Sequence, residues 1–121
     1  MKLAIIGSRN IVIKNLEQYL PCDIKEIISG GAPGIDRIAA EYAKKENIPL
    51  IEFLPDYRRY KRGAPLIRNQ QIAEYADEAL VFWNGQSNGT KYTIKLFQKL
   101  NKKITVIIIA NDERFHKKDR E

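Results

Sequence analysis

The chain is poor in two residues on which metal centres, disulfides and nucleophilic sites are built: 121 residues hold one cysteine and one histidine. A single Cys22 closes no internal bridge, and neither Cys22 nor His116 has metal-ligand spacing around it. Cys22 also follows Pro21 with no histidine near it in sequence, which argues against a cysteine nucleophile. No metal and no cofactor are expected. No apolar run approaches the roughly 20 residues that cross a bilayer. The opening Met1-Lys2-Leu3-Ala4-Ile5-Ile6-Gly7 breaks too soon for a signal peptide. A cytoplasmic protein with no membrane partner is the expectation. Neither a G-x-G-x-x-G fingerprint nor a Gly-Lys-Ser/Thr triplet occurs, so a dinucleotide fingerprint and a magnesium-dependent triphosphatase are both unsupported. Acidic residues are the minority, 15 against 21 Lys and Arg, for a formal charge of +6. That excess favours encounter with nucleic acid or phosphorylated ligands without choosing between them. Much of it lies at Lys99, Lys102, Lys103, Lys117, Lys118 and Arg120, where a solvated surface is the plainer reading.

What is present is an alternation of short apolar runs with longer amphipathic ones. Leu3 to Ile6, Glu26 to Ile28, Leu50 to Leu54, Leu80 to Trp83 and Val106 to Ala110 read as strands. Their runs are continuous rather than alternating, as in strands covered on both faces. In Ile35 to Asn47 the residues Ile35, Ile38, Ala39 and Tyr42 recur at helical spacing, opposite Arg37, Glu41, Lys44 and Lys45. Further helices are predicted over Ile11 to Leu20, closed by Pro21, over Ala64 to Ala76 with Pro65 in its first turn, and from Gly89 or Thr90 to Leu100. Asp112 onward reads as a short terminal helix or a frayed tail. The order predicts one α/β domain over residues 1–121, a three-layer Rossmann-like sandwich around a mostly parallel five-stranded sheet. Trp83, Tyr42 and Phe97 read as packing residues, Trp83 as core or crevice wall. Ligands of such folds sit beyond the carboxyl ends of the strands, where the strand order reverses.

The sharpest local signal is Ser29-Gly30-Gly31-Ala32-Pro33-Gly34-Ile35-Asp36, a glycine-rich turn between a strand and a helix. Such a turn lets main-chain N–H groups converge on an anion, and the helix behind it adds unpaired donors. Asp36, in the first helical turn, either complements the helix dipole or accepts from ligand hydroxyls. Asn84-Gly85-Gln86-Ser87-Asn88-Gly89-Thr90 repeats the arrangement after the fourth strand, with Ser87 and Thr90 offering hydroxyls. Gly7-Ser8-Arg9 follows the first strand: the glycine permits close approach, and Ser8 and Arg9 offer phosphate donors or, alternatively, a helix cap and a solvated cation. Arg68 and Asn69 lie in a helical segment that could face the glycine loops. The run Asp56-Tyr57-Arg58-Arg59-Tyr60-Lys61-Arg62 mixes bases with aromatic rings, either as a nucleic-acid surface or as an ordinary loop.

In this order, Gly7-Ser8-Arg9, Ser29 to Asp36, Arg68-Asn69, Ala76-Asp77 and Gly85 to Thr90 resemble the SLOG superfamily, and within it the small stand-alone branch related to YspA and cpYpsA. The likeness runs from Met1 to about Ala110. It implies a Rossmann-like fold and a nucleotide or nucleotide derivative as ligand. Relatives in the superfamily include LOG proteins, which release ribose 5-phosphate from nucleoside monophosphates, and DprA-type proteins, which bind single-stranded DNA. By this resemblance Gly30, Gly31 and Gly34 form the first ligand loop, Gly89 and Thr90 the second, and Arg68 is the helix-borne arginine. The hydrolases also place a glutamate three residues beyond the Gly-Thr pair, and here that position is Thr93. A threonine cannot serve as the anion that steadies oxocarbenium character on ribose.

The expectation is therefore a nucleotide-like small molecule held by Gly7, Ser8, Arg9, Gly30, Gly31, Gly34, Asp36, Arg68, Asn69, Ser87, Gly89 and Thr90. A phosphoribohydrolase with Asp36 and Arg68 as catalytic candidates is the first alternative, and a single-stranded nucleic-acid binder using Arg58, Arg59, Lys61 and Arg62 with Tyr57 and Tyr60 is the second. A homo-oligomer, most simply a cyclic dimer, is a further expectation.

Overall fold

The computed structural model describes residues 1–8, 11–31 and 34–109. Five strands form one sheet: β1 (Lys2–Gly7), β2 (Glu26–Ser29), β3 (Leu50–Glu52), β4 (Glu78–Trp83) and β5 (Lys103–Ile108). The order is β3-β2-β1-β4-β5 and every pairing is parallel. Between the strands run α1 (Ile35–Lys45), a short turn α2 (Tyr57–Tyr60), α3 (Ala64–Tyr75) and α4 (Asn88–Lys99).

The apolar strands explain the layers, because successive side chains leave a strand on opposite faces. Leu3 and Ile5 join Ile27, Leu80 and Phe82 under Ile35, Ala39 and Ala43 of α1. Ala4, Ile28, Ala79 and Val81 point the other way, onto Ile72 and Ala73 of α3 and Ile94 and Phe97 of α4. The result is the three-layer Rossmann-like sandwich expected from the alternation of runs. Tyr42 packs against the first of these cores, and Phe97 is fully buried in the second.

Several boundaries differ from the sequence reading, among them α1, which stops at Lys45 rather than Asn47, and β4, which starts at Glu78 rather than Leu80. The helix predicted over Ile11 to Leu20 is only one 3-10 turn, Leu16–Tyr19. Ile11 and Ile13 are buried while Val12 is 60% exposed. That two-residue alternation belongs to extended chain, which consecutive β-branched residues favour. β5 begins at Lys103 rather than Val106, because as an edge strand it alternates exposed and half-buried positions and is not a continuous apolar run. β3 ends at Glu52, two residues short of Leu54. The expected terminal helix from Asp112, and Ala110 itself, lie outside the described residues. Among the described residues no helix is long and apolar enough to cross a membrane.

From β1 the chain moves outward through β2 to β3, then returns to lay β4 on the other side of β1. The reversal therefore falls between the carboxyl ends of β1 and β4, the place where such sheets open a crevice.

Candidate functional site

A crevice of about 240 Å3 opens at that reversal. Its wall includes Gly7 and Ser8 after β1, Gly30 after β2, Asp36 of α1, Arg68 and Asn69 of α3, and Ser87, Gly89 and Thr90 at the start of α4. Nine of the twelve residues singled out in the sequence thus meet around one space. Gly31 and Gly34 are not in the wall, and Arg9 lies outside the described residues. Thr93 and the apolar Ile6, Pro65, Leu66 and Ile72 also line it among the described residues.

The β4–α4 loop is organised from within. Asn84 Oδ1 accepts from the N–H groups of Gln86 and Ser87, both at 2.8 Å. Ser87 caps α4 by accepting from the Thr90 N–H at 3.3 Å, the ordinary service of a helix N-cap serine. Trp83 donates its indole N–H to the Ser87 carbonyl at 3.1 Å, so this residue acts as crevice support. The Ser87 and Thr90 amides are consequently already engaged, which leaves the Asn88 and Gly89 N–H groups as the donors of this helix start with no partner among the described residues.

Ser8 and Thr90 tie the two sides of the crevice together. Their hydroxyls share a hydrogen bond of 3.1 Å, both residues are buried, and Ser8 Oγ also accepts from the Asn84 N–H at 3.4 Å. The β1 end and the α4 start are thereby held in register across the reversal. Thr93, where the hydrolases carry glutamate, donates to the Gly89 carbonyl one helical turn back at 3.0 Å, so its hydroxyl serves the helix.

The ionisable side chains of the described wall are Asp36 and Arg68. Arg68 reaches across 38 residues of sequence to donate from Nη1 to the Gly30 carbonyl at 2.8 Å, and its Nε donates to Asn69 Oδ1 at 2.8 Å. The guanidinium is thus fixed at the crevice wall without its Nη2 group entering either bond. Two glycines are explained by close approach. A Cβ at Gly30 would lie 2.4 Å from Arg68 Nη1, and one at Gly7 would lie 2.2 Å from Ile35 Cγ1. Gly7 therefore lets the first turn of α1 settle onto β1, which brings Asp36 to the wall. Gly31 and Gly34 stand at φ of 73° and 86°, conformations that glycine adopts without the Cβ penalty, and at Gly31 a Cβ would in addition lie 2.4 Å from Leu54 Cδ2.

The run after β3 is folded rather than loose. Asp56 caps α2 by accepting from the Arg59 N–H at 3.2 Å, a 3-10 turn over Lys61–Gly63 follows, and α3 begins directly after it. Sequence reasoning found neither this helical turn nor the Arg68–Gly30 contact. Asp56, a preferred N-cap residue, was a usable signal for the first, but the second joins segments that no local pattern relates.

Comparison with known proteins gives one family match. Residues 3–60 match the model of the YspA, cpYpsA-related SLOG family, YAcAr, which spans β1 through α2 and so includes the first glycine loop. No curated protein and no solved structure matches the chain. The SLOG superfamily is associated generally with the binding of nucleotides and nucleic acids.

Proposed function

We propose, from that family match and the shared crevice, that the protein binds a nucleotide or a related phosphorylated nucleoside at the carboxyl ends of β1 and β4. The observation that carries this reading is the seating of Arg68. A guanidinium held at the wall by Gly30 and Asn69 offers its remaining donors to a phosphate in a fixed orientation, and planar pairing of this kind suits Arg. Gly89, whose N–H in the first turn of α4 has no partner among the described residues, lies in the same wall, and a helix start of this kind favours negative charge. Asp36 supplies an acceptor for ribose hydroxyls, and Ser8, Ser87 and Thr90 frame the polar side. Pro65, Leu66 and Ile72 provide the apolar side that a base or ribose face needs.

Isothermal titration of the monodisperse protein against mononucleotides, NAD and ADP-ribose tests this directly. Saturable binding that is lost in Arg68→Ala is expected. Absence of heat across the whole panel refutes the reading.

Asp36 in the crevice keeps a hydrolytic variant in view, since a carboxylate near ribose can steady positive charge at the anomeric carbon. Because Thr93 contributes no anion and its hydroxyl is turned to Gly89, binding without turnover is the stronger reading. Chromatography of an AMP incubation separates the two: intact AMP supports binding alone, and released adenine assigns the hydrolase.

A further inference from the structure

We infer that the α2 turn and the 3-10 turn after it form a docking surface for the backbone of a single-stranded nucleic acid, so that the crevice ligand is one nucleotide of a longer strand. The inference rests on the nucleotide reading of the crevice, and the experiment below separates the two. Arg58, Arg59, Lys61 and Arg62 stand within five consecutive positions, and all four are exposed. Among the described residues the one ion pair is Arg37 with Glu41, so none of the four bases is paired with a carboxylate of those residues. The nearest acid in sequence, Asp56, is occupied as the cap of α2.

Two further features select a polynucleotide rather than an acidic protein. Tyr57 is 60% exposed, an open ring beside a row of cations, which is the combination that tracks phosphates while stacking bases without regard to sequence. Arg59 already lies over the Tyr60 ring at 5.3 Å, so stacking of planar groups is in use on this turn. The turn is also continuous with the site. Gly63 leads straight into α3, whose Pro65 and Leu66 line the crevice. Lys61, at φ 55°, divides the bases into one pair on α2 and one on the following turn.

The test uses the full chain, a dye-labelled oligothymidylate of about 12 nucleotides read by fluorescence anisotropy, and AMP read by calorimetry. Four phosphate contacts on a single strand give a salt slope of about −2.8, or roughly 50-fold weaker binding between 50 and 200 mM salt. In R58Q/R59Q/K61Q/R62Q, whose changes are all at exposed positions, strand affinity at low salt should fall at least as far while AMP binding is unchanged. Tyr57→Ala should weaken the strand about fivefold or more with the salt slope retained. Strand affinity unaffected by the quadruple change overturns the proposal, as does equal binding of duplex DNA or of phosphatidylserine vesicles. If AMP gives no heat yet the strand binds through these four residues, the surface stands and the crevice reading falls.

Discussion

Replacing Gly30 by alanine isolates the contact that orients the crevice cation. The new methyl would lie 2.4 Å from Arg68 Nη1 and 2.9 Å from its Cζ, against a comfortable separation of about 3.5 Å. The guanidinium must withdraw by about 1 Å, which breaks the 2.8 Å bond to the Gly30 carbonyl. A hydrogen bond from a charged donor contributes about 1.5–3 kcal/mol. Gly30 is not at positive φ, so alanine fits the backbone and returns about 0.4–1 kcal/mol by restricting the unfolded chain. The net loss is about 1–2 kcal/mol. With a urea slope near 1.5 kcal/mol per molar, the unfolding midpoint falls by about 1 M at constant slope. In an Arg68→Ala background nothing remains to be displaced, and the same change should be neutral or slightly stabilising. The double-mutant cycle therefore carries a coupling of about 1–3 kcal/mol. Additivity within about 0.5 kcal/mol refutes the argument, because it means that the guanidinium does not rest against Gly30 in solution.

Thr90→Val keeps the side-chain shape but removes the hydroxyl that meets Ser8; a loss of about 1–2 kcal/mol should lower the melting temperature by several degrees in calorimetry. Tyr75 donates to Glu26 Oε1 at 2.6 Å, and this bond, with desolvation and the charges of Glu26 and Asp77, raises its pKa above 10.0. Its contribution to stability is thus complete below pH 10 and is lost as pH rises through the elevated folded value. Melts of wild type and Tyr75→Phe should differ by a constant amount below pH 10 and converge above it; a gap that widens with pH contradicts the assignment. Lys61→Gly replaces a residue at φ 55° with one that adopts that conformation freely. Urea unfolding should show a gain of about 0.5–1 kcal/mol, and a loss would show that this backbone angle is not held in solution.

The fold was legible because the three central strands carry buried apolar runs, Leu3 to Ile5, Ile27-Ile28 and Ala79 to Phe82, as parallel strands covered by helices must, and the edge strand β3 opens on Leu50-Ile51. The exception, β5, has a half-open face, and its Lys103-Ile104-Thr105 start hid in a search for continuous runs. Residues 11–15 misled for the opposite reason: apolar content suggested a helix, whereas the buried-exposed-buried order of Ile11, Val12 and Ile13 marks extended chain. Within the crevice, the sequence indicated which loops would converge, since all of them follow strand ends. It could not reveal what each glycine accommodates. Gly7 makes room for Ile35 and Gly30 for Arg68, and both partners arrive from distant parts of the chain. The internal hydrogen bonding of the β4–α4 loop was equally hidden, although Asn84 and Ser87 are the residue types that form such turns.

Trp83, the sole tryptophan, donates its indole N–H to the carbonyl of Ser87, a residue of the crevice wall. The protein therefore carries one indole, wired to the segment that a ligand must touch. Any occupant that stiffens or shifts that segment alters the electronic surroundings of this one indole, which excitation at the red edge of the absorption band selects over the six tyrosines. Titrations need no label, and stopped-flow emission can follow occupancy in real time.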